Sequence, residues 1–176
     1  MTDRKQASAS RPLVGIVMGS DTDLPVMTDT ARTLKDFGVP FEIEITSAHR
    51  SPARTAEYAR TAVERGLKAI VVGAGGASHL AGIIAAETIL PVVGVPIAST
   101  PLAGMDALLS TVQMPGGVPV AVMAIGKAGA VNAAIFVAEI IATADEKLAE
   151  RLRQHKEHLA RSVAEKAEKL KQDFSV

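Results

Sequence analysis

The chain has no cysteine and no tryptophan, and its only aromatics are one tyrosine and four phenylalanines. Without cysteine there can be no disulfide, no thiolate metal ligand and no cysteine nucleophile. With aromatics at 3% and apolar residues at 48%, the core must be built from Ala, Val, Ile and Leu, which suits strands buried between helices. Neither sign of charge dominates, since Lys+Arg and Asp+Glu stand at 19 each. That balance argues against a dedicated nucleic-acid surface. No run reaches the roughly 18 apolar residues that span a bilayer, and no apolar leader is visible. A cytoplasmic protein without membrane contact is the expectation. Three familiar signatures are also missing. The first loop is not G-x-G-x-x-G, and the chain has no G-x-x-x-x-G-K-[ST] and no G-x-S-x-G.

What is present is an alternation. Its 176 residues fit one domain with a sizeable core. Residues 1–11 are polar, small and aperiodic, which predicts a disordered tail. Apolar runs at 13–18, 41–45, 69–72, 92–95 and 118–122 read as strands, with Pro119 hinting at an irregular or late start for the last. Each is followed by a helical spacing: 24–37, closed by Gly38; 52–65; a small-residue helix to about 88; 105–113; and 131–143. Five such units predict a doubly wound parallel sheet over 12–143. The segment 144–176 differs. Asp145 can cap a long helix in which Leu148, Leu152, His155, Leu159, Val163 and Leu170 form one narrow apolar stripe. Such a helix either lies solvated on its own fold or packs on a neighbouring subunit, and the second reading is preferred.

Chemistry concentrates where strands hand over to helices. Thr46-Ser47-Ala48-His49-Arg50-Ser51-Pro52 offers hydroxyls, an imidazole, a guanidinium and a helix start. An imidazole titrates near neutrality, which suits reversible proton transfer, although a lone loop histidine is more often a structural hydrogen-bonder. Ser47 and Arg50 beside it can fix an anion. Gly19-Ser20-Asp21-Thr22-Asp23 either binds an anion at a helix start or is capped by Asp21 or Asp23. Gly73-Ala74-Gly75-Gly76-Ala77 lets backbone approach a ligand closely, and Met114-Pro115-Gly116-Gly117 is a tight turn or a flap. Two histidines, His49 and His79, without cysteine or a spaced carboxylate make a poor metal site.

These loops, together with Ala124-Ile125-Gly126-Lys127-Ala128-Gly129, resemble in order the motifs of the N5-carboxyaminoimidazole ribonucleotide mutases, class I of the AIR carboxylase family. The resemblance runs from about Leu13 to Ala142. It implies a flavodoxin-like three-layer α/β/α fold with a five-stranded parallel sheet, and a homo-octamer with active sites at subunit contacts. It implies transfer of a carboxylate from an exocyclic nitrogen to a ring carbon of an aminoimidazole ribonucleotide, without metal, biotin or ATP. Carried over, His49 becomes the general acid/base. Ser20, Asp23 and Arg50 become substrate-binding, with Ser47, the Gly75-Gly76 backbone and His79 beside them. The chain departs from the family pattern at Ser78, Ala81 and Ile83, where Ala, Pro and Met are usual, and at Thr22 and Ser51, which keep a hydroxyl. Two other readings stay open: direct carboxylation by CO2, and a nucleotide-binding module without turnover.

Overall fold

The continuous apolar runs become strands with both faces covered. In the computed structural model, which describes residues 11–174, every residue of β1 (Val14–Met18) and β4 (Val92–Ile97) is buried, as is all of β3 (Ala69–Gly75) except its last residue. β2 (Phe41–Ile45) alternates apolar and acidic residues and is only partly covered, as an edge strand should be. The other edge is β5 (Ala121–Val122). The order is β2-β1-β3-β4-β5, all parallel, with Met18 level with Ile45 and Gly73. This is the flavodoxin-like order, and it reverses direction beside β1. The carboxyl ends of the strands there flank a crevice, lined by residues that follow β1, β2, β3 and β4.

Helices cover both faces. α1 (Leu24–Asp36) is tied to α6 (Lys127–Ala142) by the buried Thr30 hydroxyl, which donates to Ala130 O at 2.9 Å. α2 (Pro52–Arg60), the short α3 (Ala62–Arg65) and α4 (Leu80–Glu87) close another core, in which Ala59, Ala62, Leu80 and Ile84 meet Val17, Ile70 and Val72. α5 is Met105–Val112.

Several boundaries differ from expectation for identifiable reasons. The single helix read over 52–65 breaks at Thr61, whose hydroxyl bonds back to Glu57 O at 2.8 Å and competes with the helix ladder. β3 runs on through Gly73, Ala74 and Gly75, because β4 also continues and pairs with them through Val95, Pro96 and Ile97. Pro96 survives inside β4 because its carbonyl still accepts, from Gly126 N at 2.9 Å. The fifth strand shrinks to two residues, as the proline at 119 leaves its first half without a ladder donor. α6 begins four residues before the expected 131.

The chain divides into two compact units, Met1–Ala138 and Glu139–Val176. The sheet and its loops belong to the first. The second contains α7 (Glu146–Phe174), whose Leu148 N–H is capped by the Asp145 carboxylate at 3.0 Å. Leu148 and Leu152 are buried, whereas Leu159, Val163, Leu170 and Phe174 are exposed. The tail expected over 1–11 lies outside the described residues except for Arg11, whose guanidinium donates to the carbonyls of Arg65, at 2.7 Å, and Glu64.

Candidate active site

Hydroxyls, not helix geometry alone, shape the loop after β2. The buried Thr46 hydroxyl meets Thr55 Oγ1 at 2.8 Å. The Ser51 hydroxyl accepts from Ser47 N at 3.0 Å and donates to Ser47 O at 3.1 Å. Pro52 then starts α2, where its missing N–H costs nothing. The loop is thus held at both ends, and His49 and Arg50 stand out from it, both exposed. The Ser47 hydroxyl accepts from Arg50 N at 3.2 Å and Arg50 Nε at 3.5 Å, while Arg50 Nη2 donates to Gly19 O at 3.3 Å. A guanidinium has five N–H donors. Two are used in bracing the loops after β1 and β2, and the others remain for an anion.

The loop after β1 holds a 3-10 turn (Asp21–Asp23) capped by Ser20, whose hydroxyl accepts from Thr22 N at 3.3 Å and Thr22 Oγ1 at 3.0 Å. Ser20 therefore takes the cap that the sequence left to Asp21 or Asp23. Asp23 makes no side-chain cap to α1 and is buried, 5% exposed. That burial pushes its carboxyl above the usual carboxylate range, against backbone hydrogen bonds at Ser20 and Gly19 that pull it down.

The sign of this shift gives a test. A carboxyl whose folded value is raised holds its proton more tightly folded than unfolded. Its contribution to stability is present in acid and is lost as pH rises from the ordinary carboxylate range through the raised value. Asp23→Asn, which cannot ionise, is expected to melt higher than wild type at neutral pH, by about 2–4 °C per kcal/mol recovered, with the gap closing in acid. Thermal melts at both pH values check it. A lower melting point at neutral pH would mean that the folded state favours the anion.

After β3 the backbone turns sharply. Gly76 has φ of 58°, and Ser78 N and His79 N reach back only two residues, to Gly76 O at 2.9 Å and Ala77 O at 2.8 Å. At Gly75 a side chain would collide with Ser99 Oγ, so glycine there lets the loop after β4 come in beside it. His79 sits at the start of α4, and its Nδ1 lies 2.8 Å from His49 Nε2 with the rings nearly perpendicular at 83°. At that separation one nitrogen carries the hydrogen and the other accepts it. Two rings from two loops thereby fix each other.

These residues line one cavity of about 330 Å³, in which Ser20, Asp23, Ser47, Arg50, Gly75 and the two histidines all take part. Gly76, expected beside the substrate, does not line it; its φ of 58° turns the chain behind Gly75. Thr22, one of the hydroxyls that the first loop offers, also lines it, as does Ser99, which does not stand out as a site residue in the sequence. Ser99 is signalled only by its place in the fourth strand-to-helix loop. On the Arg50 side the cavity adjoins a cleft bearing Thr46, Ser47 and Ser51; on the histidine side it adjoins an apolar hollow bearing Ile83 and Met114. The arrangement sets cationic and hydroxyl donors at one end and paired imidazoles at the other, groups able to hold an anion and to exchange a proton.

The family model described as AIR carboxylase matches residues 13–162 of the chain. The N5-carboxyaminoimidazole ribonucleotide mutase of Pyrococcus horikoshii is 54% identical over 164 residues, covering 93% of this chain and 92% of that protein. The mutase of the same name from Bacillus subtilis is 52% identical over 160 residues, covering 91% and 99% respectively. The crystal structure of Treponema denticola PurE is similar with a TM-score of 0.82 at 29% identity, over 92% of this chain and 99% of that one.

Proposed function

The chain belongs to the AIR carboxylase family, and we propose that it is the mutase interconverting N5-carboxyaminoimidazole ribonucleotide and 4-carboxy-5-aminoimidazole ribonucleotide in purine biosynthesis. The observation that carries the residue-level scheme is the contact between His49 and His79 in a cavity that Arg50, Ser20 and Ser47 also line.

In this scheme Arg50, Ser20 and Ser47 hold the phosphate, by charge-assisted and hydroxyl hydrogen bonds. Asp23 accepts from ribose hydroxyls. The Gly75 backbone lies against the flat ring. His49 gives a proton to the exocyclic nitrogen as the N–C bond breaks and its electron pair returns to nitrogen, releasing CO2 inside the cavity. Ring carbon C4 then attacks the CO2 with its own electron pair. His49 takes the proton that C4 sheds, which restores the ring and the histidine. One imidazole suffices because the proton given at nitrogen is recovered at carbon. Confinement keeps the CO2 within reach, a proximity effect. His79 keeps the His49 ring aimed. No step calls on a metal, biotin or ATP. Direct carboxylation is the competing scheme. Supplying aminoimidazole ribonucleotide with bicarbonate, against the N-carboxylated isomer alone, separates the two, and fast turnover only with the former would overturn the mutase scheme.

We place the reaction in the cytoplasm, in an octamer. Among the described residues no helix is long and apolar enough to cross a membrane. The assembly is supported by Leu102, Met105, Leu109 and Val112 around α5, each about half exposed or more, and by the exposure of both site histidines. A neighbouring subunit would cover both, and the segment 144–176 is proposed to make part of that contact. Light scattering on the purified chain should give the mass of eight copies of an 18.3 kDa chain; a monomer that turns over at full rate would refute the assembly and the role given to the terminal helix.

A further inference from the structure

The turn that presents His79 is poorly supported by its own backbone. Ser78 N and His79 N bond only two residues back, a geometry weaker than a helix or sheet ladder. What holds the turn comes from α5. Ser110 Oγ accepts from Ser78 N at 3.1 Å, while Thr111 Oγ1, which donates chiefly to Ala107 O at 2.7 Å, lies 3.3 Å from Ser78 O. Ser110 thus holds the N–H of the residue before His79, with the neighbouring Thr111 hydroxyl close to its carbonyl. Ser78 is itself buried, and its hydroxyl donates to Ala74 O at 3.2 Å. Ser110 also lines the apolar hollow that His49 and His79 share. Thr111 is fixed in turn, because its methyl fills the space that a side chain on Gly94 would need.

We infer that Ser110 is a positioning residue for the reaction, acting through the Ser78 peptide to keep His79 against His49. It touches no reacting atom. The inference rests on the mutase reading and adds a residue to it. If the grip sets the aim of His79, loosening it lets the pair drift from the 2.8 Å contact, and His49 presents its nitrogen less often in the productive direction. The loss then falls on turnover, because the phosphate is held by Arg50, Ser20 and Ser47, on loops that α5 does not grip.

The test is a double-mutant cycle on the full-length chain with Ser110→Ala, His79→Asn and the pair, followed by isomerisation kinetics. Ser110→Ala is expected to lower kcat about 10-fold with KM within about 2-fold, a modest part of the roughly 10²–10⁴-fold that general acid–base catalysis supplies. In the His79→Asn background the same change is expected to lower kcat less than 2-fold. An equal loss in both backgrounds would show that Ser110 does not act through His79 and overturns the inference. So would kcat unchanged in Ser110→Ala, or a loss confined to KM or to melting temperature. Absence of isomerisation by wild type would instead remove the mutase reading itself, so the two failures are distinguishable.

Discussion

His49→Asn is expected to lower the isomerisation rate by about 10²-fold or more while ribonucleotide binding stays within a few-fold of wild type. Asparagine is polar and similar in reach to the inner half of the ring, so the loop braced by Thr46, Ser47 and Ser51 should persist. It cannot accept and return a proton near neutrality. Both chemical events, protonation of the departing nitrogen and deprotonation of C4, then fall to water. Binding is spared because the anion-holding groups come from other positions: Ser20 from the loop after β1, Ser47 and Arg50 from the flanks of the turn. Stopped-flow or steady-state rates with calorimetric binding separate the two effects. A rate within a few-fold of wild type would remove His49 from the chemistry, whereas ribonucleotide binding with no turnover in wild type itself would identify a binding module.

Arg50→Ala should act in the opposite sense. Its main expected effect is a rise in KM of about 10- to 100-fold, the range set by losing a hydrogen-bonded charge worth about 1.5–3 kcal/mol. A part of any change is expected in kcat as well. The guanidinium also braces two loops, through Ser47 Oγ and Gly19 O, and releasing it lets the ring of a bound nucleotide shift. Arg50→Lys keeps the charge but not the planar fork, so it should fall between wild type and alanine. An unchanged KM in Arg50→Ala would contradict its role as the phosphate anchor.

The site was legible in the sequence because its parts are local. Apolar runs mark the strands, and the loops at the carboxyl ends of buried parallel strands open on the same crevice. Ser20, His49, Gly75 and His79 could therefore be placed together from order alone. The parts that were not legible depend on distance between chain segments. Ser99 enters the cavity only because Gly75 leaves room for it, a packing relation across two strands. The contacts of Ser110 and Thr111 with Ser78 join residues more than thirty apart. Asp23 reads as a cap by its type and position, yet Ser20 takes that task and leaves the carboxyl buried. The glycine-rich stretch reads as loop by composition, yet its first half is strand because β4 supplies a ladder for it. Except at Asp23, where the competitor is its neighbour Ser20, a tertiary partner overrode a local preference.

In the proposed scheme the carboxyl group leaves nitrogen and arrives at carbon within one cavity, with His49 moving the proton. Wild type given the N-carboxylated ribonucleotide with its carboxyl carbon labelled, in unlabelled bicarbonate, should return a C-carboxylated product that keeps most of the label. Product carrying mainly unlabelled carbon would mean that the carboxyl came from bulk solution, and would contradict transfer inside the site.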